Sequence, residues 1–492
     1  MSSTVTLPLW LVVVIAALAA LALLDRLLIP SVRWALRRRA NRAIDELNTR
    51  LKLHIQPFKL TKRQVLIDRL VHDPEVLHAV EEYAKEHGVP RAVGMDKVKR
   101  YAREIVPAFS AYAYFRVGTT IAKRLSQMLY RVRIGYKSEE ALAAVDPTAS
   151  VVFVINHRSN MDYVLVTYVA ATSSALSYAV GEWAQVWGLR NLIRSMGAYF
   201  IRRDSRDALY RKVLARYVQM ATAAGVVQAV FPEGGLSRDG RLRPPKFGLL
   251  SYMVAGFDPH GPKDVVFIPV GVNYDRVLED RMLTSAAATA PGKKPVFGFS
   301  PLVFARHFFN HLRMAARGHW YRFGYTCVSF GEPQSLRDYL AEQRIDFRTL
   351  APDARHAEIE RLGNRLMQAV GRVVPALPVA LVSTALLEAG DKPLSLLELK
   401  GRVSELITAL EASGAYVHIP RADRDYAIEV GLRMLKLRHL VLDEEAGYRA
   451  NAKELSLLQY YANSIAHLLA SVPATADLVT WPRAAAVQRV RA

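Results

Sequence analysis

Six consecutive residues, His-Arg-Ser-Asn-Met-Asp, place an imidazole (His157) and a carboxylate (Asp162) at a short, fixed spacing. They lie between two apolar runs, residues 151–155 and 163–170, a pattern typical of a strand that feeds a helix. A carboxylate in the first turn of that helix can accept the proton of one imidazole nitrogen and leave the other nitrogen as a base. The spacing therefore predicts an apparatus that activates a hydroxyl group as a nucleophile.

The same residues permit a simpler interpretation. Ser159 followed three positions later by Asp162 also matches a capping box. In that case Asp162 caps the helix and His157 is an ordinary loop residue. The motif by itself leaves both interpretations open.

Two further groups of polar residues follow apolar runs. Arg202 and Arg203 end the segment Gly-Ala-Tyr-Phe-Ile-Arg-Arg, and the donor fork of arginine matches phosphate. The alternative is a pair of solvated cations at a strand end. Farther along, Lys246 precedes another helical pattern and would add a cation to the same basic region.

The segment Phe-Pro-Glu-Gly-Gly-Leu-Ser-Arg carries a carboxylate to the end of an apolar run, at Glu233. Gly234 and Gly235 would let backbone amides approach a ligand closely. Ser237 and Arg238 add a hydroxyl and a cation. The alternative is a glycine-rich turn with an exposed glutamate.

Pro269 interrupts the apolar run Phe-Ile-Pro-Val. Proline has no N–H to donate to a sheet, so it favours an edge strand or a bulge, where a ligand channel could pass.

From about residue 150, apolar runs alternate with helical patterns. The predicted strands cover residues 151–155, 198–201, 226–231, 265–270 and 327–330, and the predicted helices cover 163–171, 183–196, 208–224 and 247–255. This alternation predicts an α/β fold with a mainly parallel sheet flanked by helices. Active groups should gather at the edge where the strands end.

Composition narrows the class of protein. The chain has 492 residues, 51% hydrophobic and 23% charged, which excludes a disordered chain and a polytopic membrane protein. Its single cysteine, Cys327, excludes an intramolecular disulfide and a cysteine-built zinc site, and its apolar surroundings predict a small core residue. The formal charge of +21 predicts a phosphate-bearing partner, either nucleic acid or anionic lipid.

The N-terminal segment favours the lipid. Residues 7–24 are apolar and uncharged, which is near the lower length limit for crossing a bilayer, and an arginine cluster follows them. Because positive flanks stay in the cytoplasm, this pattern predicts one transmembrane helix with the rest of the chain inside. A buried core helix is the alternative.

The patterns divide the chain into five parts. These are a transmembrane anchor (1–30), a basic amphipathic juxtamembrane segment (31–59), an N-terminal helical region (60–140), the α/β domain (141–375) and a C-terminal helical region (376–492). Residues 285–322 are rich in Phe, Arg and His and interrupt the α/β pattern, either as an interfacial helix or as an irregular insertion.

Taken in order, four blocks resemble the four motifs of the glycerolipid acyltransferase family: H-x4-D, G-x-x-F-I-R-R, F-x-E-G-G-x-S-R and I-P-V. The first three are similar to those of bacterial membrane-bound glycerol-3-phosphate and dihydroxyacetone-phosphate acyltransferases. The resemblance runs from about residue 60 to 470. It implies transfer of a fatty acyl group from acyl-CoA or acyl carrier protein to the hydroxyl of glycerol-3-phosphate, giving lysophosphatidic acid, without a cofactor or a metal.

The resemblance also implies roles for the candidate residues. His157 would be the general base on the acceptor hydroxyl, with Asp162 holding it. The phosphate would be bound by cations and a hydroxyl: first Arg158, Arg202 and Arg238, and second Arg203, Ser237 and Lys246.

The remaining candidates would shape the two substrate sites. Glu233 and the backbone of Gly234 and Gly235 would form the acceptor site, where an amide could stabilise the oxyanion. Pro269 would border the acyl chain. At Leu236 the chain departs from the bacterial pattern, which has arginine there, so one cation is missing.

Other functions stay open at this point. Dihydroxyacetone phosphate and lysophosphatidic acid are alternative acceptors, and a non-catalytic lipid-binding membrane scaffold is the alternative from another class. No nucleic-acid-binding module is recognisable, so nucleic acid is not an expected partner. The oligomeric state does not follow from the sequence.

Overall fold

The computed structural model describes Pro8 and residues 53–170, 175–181, 189–202, 205–287 and 322–470. Eight strands form one sheet: β1 (Arg131–Lys137), β2 (Ser150–Ile155), β3 (Ser177–Val180), β4 (Tyr199–Phe200), β5 (Gln228–Val230), β6 (Val265–Tyr274), β7 (Tyr325–Phe330) and β8 (Gln334–Ser335). A separate hairpin consists of β9 (Val441–Glu444) and β10 (Gly447–Ala450).

Helices precede, separate and follow these strands. The α-helices are Pro57–Leu60, Arg63–Val71, Pro74–His87, Arg91–Ile105, Thr119–Leu129, Glu139–Ala143, Met161–Ala170, Leu189–Ser195, Ala208–Ala223, Gly248–Val254, Asp280–Ala287, Leu336–Gln343, Pro352–Val373, Pro378–Glu388, Leu396–Ala412, Arg424–Lys436, Leu455–Asn463 and Ala466–Leu469. A π-helical segment, Ala113–Gly118, and two short 3-10 helices, Pro420–Ala422 and Ala452–Glu454, complete the set in the described ranges.

The sheet is mainly parallel. Its strand order is β1-β7-β6-β2-β5-β3-β4, and β8 pairs with β6 beside this path. Every neighbouring pair from β6 to β4 is parallel, as is the pair of β1 and β7. The antiparallel pairs of this sheet are β6 with β7 and β6 with β8. The predicted α/β class with a mainly parallel sheet and flanking helices is confirmed.

The two central strands show why the apolar runs were readable. All residues of β2 and of β6 are buried, as expected for strands covered by helices on both faces. The five predicted strands all exist, with somewhat different bounds. The sequence patterns missed the other five described strands, β1, β3, β8 and the hairpin strands β9 and β10.

The expectation of helices throughout residues 60–140 is wrong for β1. Its sequence, Arg-Val-Arg-Ile-Gly-Tyr-Lys, alternates apolar residues with charged or small ones, which is the period of a strand. It pairs with β7 alone and forms one edge of the sheet, so only part of it is buried.

Of the two placements expected for Pro269, an edge strand or a bulge, the edge strand is wrong, because β6 lies between β2 and β7. The Pro269 carbonyl accepts a hydrogen bond from the Gly331 N–H at 2.7 Å. On that side the partner of β6 changes from β8, opposite Val266 and Phe267, to β7, which begins opposite Val270. The missing N–H therefore falls between two partners, where no ladder bond is lost.

Cys327 lies in β7 and is fully buried. Burial raises the pKa of its thiol to about 12. The expectation that it is a core residue is confirmed.

The predicted anchor and most of the juxtamembrane segment lie outside the described residues, apart from Pro8 and residues 53–59. Residues 288–321 of the predicted insertion do so as well. In the part of the chain that is described, no helix combines the length and the apolarity needed to cross a bilayer.

Candidate active site

The imidazole of His157 and the carboxylate of Asp162 meet beyond the end of β2. The His157 Nδ1 atom lies 2.9 Å from Asp162 Oδ2, and both side chains are buried. The rings of Phe231 and Tyr163 pack against the imidazole, with centroids 4.5 and 5.4 Å away. The hydrogen bond places the proton on Nδ1, and among the described residues Nε2 has no hydrogen-bond partner. His157 is therefore an oriented base whose Nε2 atom can accept a proton.

The same carboxylate also caps the helix that follows. Asp162 Oδ2 accepts hydrogen bonds from the backbone N–H groups of Arg158 (2.7 Å) and Ser159 (3.0 Å). Asp162 therefore both orients His157 and bonds the backbone that leads into the helix. The geometry is not a capping box, because the Asp162 N–H donates to the carbonyl of Ser159 and not to its hydroxyl.

Sequence reasoning missed Tyr274, the last residue of β6. Its hydroxyl donates to Asp162 Oδ1 at 2.6 Å. Burial, and after it the neighbouring Asp162, raises the pKa of Tyr274, so the hydroxyl remains a donor. The available signal was a tyrosine at the end of an apolar run, which becomes informative only once β6 is known to lie beside β2.

Asn156 and Glu279 were also missed. The Asn156 side-chain amide donates to the Val272 carbonyl (2.9 Å) and its oxygen accepts from the Val272 N–H (2.7 Å), which extends the pairing of β2 with β6 up to His157. Glu279 accepts a hydrogen bond from the Ser159 hydroxyl at 2.7 Å. Burial raises the pKa of Glu279. These contacts fix the loop on both sides of the base.

Glu233 ties a second loop, residues 231–247 after β5, to the first loop, residues 156–160 after β2. Its Oε1 accepts from the His157 N–H (2.8 Å) and its Oε2 from the Arg243 N–H (3.1 Å). Burial raises the pKa of this carboxyl. Ser237 adds a second tie, since its N–H donates to the His157 carbonyl (3.1 Å) while its hydroxyl donates to the Arg241 carbonyl (2.7 Å). The side chains of Glu233 and Ser237, which were predicted to lie at the substrate sites, thus bond to other atoms of the protein.

The two glycines form a turn beside this tie. Gly234 adopts a φ of +65°, and its N–H donates to the Phe231 carbonyl at 3.0 Å. The N–H of Gly235 has no hydrogen-bond partner in the described ranges. A Cβ on Gly234 would lie 2.7 Å from the Lys246 Cδ atom, so the lysine stem crosses the turn. Lys246 is exposed, as is Arg238 at the end of the same loop.

Arg158, a predicted phosphate ligand, bonds to two backbone carbonyls. Its guanidinium donates to the carbonyls of Gly240 and Ser464, and the side chain is 1% exposed. It therefore joins the second loop to the C-terminal helices. Its Nε is buried and has no hydrogen-bond partner among the described residues, so the guanidinium keeps donor capacity beyond these two carbonyls.

Arg202 is paired within the protein. Its guanidinium donates to Glu104 through Nε (2.9 Å) and Nη2 (2.6 Å) and lies over the rings of Tyr101 and Tyr210. The hydrogen bonds to Glu104 raise the pKa of Arg202. Arg203 lies outside the described residues. Pro269 lies within β6, four positions before the Asn273 side chain that donates to Pro375 and Ser464.

The arrangement is suited to removing a proton from a hydroxyl group. Glu233 ties the buried, oriented imidazole's loop to the turn at Gly234 and Gly235, and the stem of the exposed Lys246 crosses that turn. Across the described ranges, no three His, Cys, Asp or Glu side chains group closely enough to hold a metal ion.

Two family models match this chain. One, described as Acyltransferase, covers residues 133–273, and the other, described as Glycerol-3-phosphate acyltransferase C-terminal region, covers residues 308–485. The first contains His157, Asp162 and the second loop. The second contains Ser464, which accepts a hydrogen bond from Arg158.

Curated relatives carry matching names. The glycerol-3-phosphate acyltransferase of Pseudomonas putida is 29% identical over 434 residues, which is 84% of this chain and 49% of the relative. That of Aeromonas hydrophila is 27% identical over 437 residues, 86% of this chain and 52% of the relative. The chain spans about half the length of the curated relatives it matches.

A solved structure is also similar. The 1-acyl-sn-glycerophosphate acyltransferase of Thermotoga maritima is 17% identical and covers 51% of this chain and 79% of its own, with a TM-score of 0.29. A score this low supports no inference about function.

Proposed function

Because this chain belongs to the glycerolipid acyltransferase family, we propose that it is an enzyme that moves a fatty acyl group from an acyl thioester to the hydroxyl of glycerol-3-phosphate, giving lysophosphatidic acid. The observation that carries the proposal is the buried pair of His157 and Asp162 inside the matched region. The donor would be acyl-CoA or acyl carrier protein. The product would serve as the first intermediate of phospholipid synthesis.

In the proposed reaction, Nε2 of His157 removes the proton of the acceptor hydroxyl while its oxygen attacks the thioester carbonyl carbon. A C–O bond forms, and the tetrahedral intermediate then breaks the C–S bond and releases the thiolate, which takes the proton back from the imidazolium. Asp162 keeps its negative charge and stabilises the imidazolium.

The turn at Gly234 and Gly235 would stabilise the oxyanion of that intermediate. The Gly234 N–H is engaged with the Phe231 carbonyl, so the donor would be the N–H of Gly235. Glu233 supports this assignment, because its bond to the His157 N–H holds the turn beside the base.

The acceptor phosphate would be bound by Lys246 and Arg238. Both are exposed on the loop that contains Gly234 and Gly235, whereas Arg158 is buried and Arg202 is half-buried. The proposal therefore ranks the cations of the second loop above those two arginines.

The place of action would be the bacterial inner membrane, with the catalytic part in the cytoplasm. The apolar residues 7–24, the arginines that follow them and the charge of +21 support this location.

The experiment is a turnover assay with His157→Ala and the matched variant His260→Ala, which alters an exposed histidine. His157→Ala should abolish acyl transfer, whereas His260→Ala should retain wild-type turnover. Equal activity of a folded His157→Ala protein would refute the mechanism. Glycerol-3-phosphate, dihydroxyacetone phosphate and lysophosphatidic acid would be compared as acceptors. A higher kcat/KM for either of the latter two would overturn the substrate assignment.

A further inference from the structure

A cavity of about 660 Å³ lies at the other end of the sheet from β1. Its lining consists of six arginines and one glutamate: Arg63, Arg100, Arg103, Glu104, Arg190, Arg194 and Arg202. Arg202 follows β4, the edge strand, and the others lie on helices Arg63–Val71, Arg91–Ile105 and Leu189–Ser195.

The charge of this cavity is not balanced by its own residues. Glu104 is engaged by the fork of Arg202, so the lining keeps a large positive excess. Burial, and then the neighbouring charges of Arg190 and Arg63, lowers the pKa of Arg194 to about 10. Arginines held this close repel one another, and an anion with several charges would relieve that repulsion.

Backbone carbonyls hold these cations in place. The Arg63 guanidinium donates to the carbonyls of Val106 and Arg103. Arg194 Nη2 donates to the carbonyls of Arg103 (3.3 Å) and Glu104 (3.0 Å). The Nε atoms of Arg194 and Arg190 are buried and have no hydrogen-bond partner among the described residues. The cavity is thus organised before any ligand arrives.

Its position decides which anion fits. His157 and Arg202 follow β2 and β4, two parallel strands of the same sheet, so both lie at the edge where those strands end. β5 and β3 lie between them, which separates β2 from β4 by three strand spacings, or ~14 Å. In glycerol-3-phosphate only a few bonds separate hydroxyl and phosphate. An acceptor with its hydroxyl at His157 therefore leaves this cavity empty.

Coenzyme A has the required span. A long pantetheine arm separates its sulfur from the phosphates of its nucleotide end, and the extended arm exceeds three strand spacings. A thioester carbonyl at His157 can therefore coexist with nucleotide phosphates at the arginines. The cavity volume also suits a nucleotide better than a three-carbon phosphate.

We propose that this arginine cavity binds the phosphate groups of the nucleotide end of coenzyme A, so that the acyl donor lies along the strand ends between β4 and β2. The inference rests on the proposed acyl transfer for its choice of ligand. It assigns to Arg100, Arg103, Arg190 and Arg194 a role in donor binding.

The test is calorimetric titration of the full chain with coenzyme A, with adenosine 3′,5′-bisphosphate and with glycerol-3-phosphate. The test variant is Arg100→Gln with Arg103→Gln, whose exposed side chains line the cavity. The matched control is Arg69→Gln with Lys99→Gln, which removes the same charge from helices Arg63–Val71 and Arg91–Ile105 at positions outside the lining. The test variant should raise Kd for both nucleotides at least ~10-fold. The control should leave Kd within about twofold of the wild type.

Three results would overturn the proposal. One is unchanged nucleotide affinity in the test variant with an unchanged unfolding midpoint. Another is a loss of affinity for glycerol-3-phosphate in place of coenzyme A. The third is an equal loss in the control, which would indicate a diffuse charge effect. Binding is measured without turnover, so His157→Ala should still bind coenzyme A. Full activity of His157→Ala would refute the proposed mechanism and leave this binding result standing.

Discussion

At the scale of single residues, Asp162 is the most heavily bonded group of the site. Its two oxygens accept from the imidazole of His157, from two backbone N–H groups and from the Tyr274 hydroxyl. Each donor offsets the cost of burying the charge. The carboxylate is therefore held in one orientation, and with it the imidazole.

Tyr274→Phe tests this positioning. The variant removes one donor from Asp162, so the carboxylate holds the imidazole less firmly in place and also attracts the imidazolium more strongly. A hydrogen bond to a charged group contributes about 1.5–3 kcal/mol, and we expect kcat to fall roughly tenfold or more with little change in KM. The acid limb of the pH–rate profile should move to higher pH.

Tyr130→Phe is the matched control. Tyr130 packs against the ring of Tyr274 (centroids 5.2 Å apart), but its hydroxyl donates to the Arg276 carbonyl. This variant should leave the pH–rate profile in place. A profile that moves in both variants, or in neither, would contradict the positioning role of Tyr274.

Arg158→Ala separates two roles of that arginine. Gly240 and Ser464 would each lose a charged donor to a buried carbonyl, so the free energy of unfolding should drop by ~3 kcal/mol in urea titrations. Lys246→Ala, at an exposed cation of the second loop, should instead raise KM for glycerol-3-phosphate and leave stability unchanged. If the Arg158→Ala protein is stable and has a raised KM for glycerol-3-phosphate, Arg158 binds the phosphate.

At the scale of elements, the C-terminal helices brace the loops that carry the site. Asn463 donates to the Asp239 carbonyl (2.8 Å), Ser464 accepts from Arg158, and the Tyr461 hydroxyl accepts from the Val277 N–H (3.2 Å). These contacts reach both the second loop and the segment after β6. The helical region expected at residues 376–492 is therefore part of the architecture of the site.

Gly240→Ala should disturb this contact. Gly240 has a φ of +85°, and an added Cβ would overlap the Tyr460 carbonyl. Since both backbone strain and a backbone clash oppose it, we expect a loss of ~3 kcal/mol or more in unfolding free energy and reduced turnover. Gly248→Ala is the control, because its Cβ would meet nothing within 4 Å. Similar stability of the two variants would show that the helices and the loop are not coupled.

At the scale of the whole molecule, the charge of +21 should govern contact with lipid. A chain lacking residues 1–30 should still float with vesicles that contain anionic lipid at low salt. The binding should weaken as salt rises, because the screening length is about 10 Å at 0.1 M and shortens further. Neutral vesicles are the control. Binding that ignores both lipid charge and salt would contradict an electrostatic contact.

The sequence was most informative where partners are near in the chain. His157 and Asp162 could be paired in advance because they flank one strand-to-helix junction, which fixes their separation. Tyr274 could not, because 112 positions separate it from Asp162 and the adjacency of β2 and β6 depends on the strand order. The ion pair of Arg202 with Glu104 could not be predicted for the same reason, since 98 positions separate the two residues.

Long apolar runs were readable because burial on both faces requires them, as in β2 and β6. Short or edge strands carry a weaker signal. In β1, apolar residues alternate with charged ones, and the strand was included in a helical region. Pro269 suggested an edge strand or a bulge, because the change of partner from β8 to β7 beside it depends on tertiary pairing.

The buried thiol of Cys327 has a practical consequence for spectroscopy. Thiol reagents attack the thiolate, and a pKa of about 12 in a fully buried strand leaves almost none at neutral pH. The native chain should thus not react with maleimides until it unfolds. A cysteine introduced at an exposed site such as Leu397, which is 81% exposed, would then be the only thiol that a fluorophore or spin label can modify.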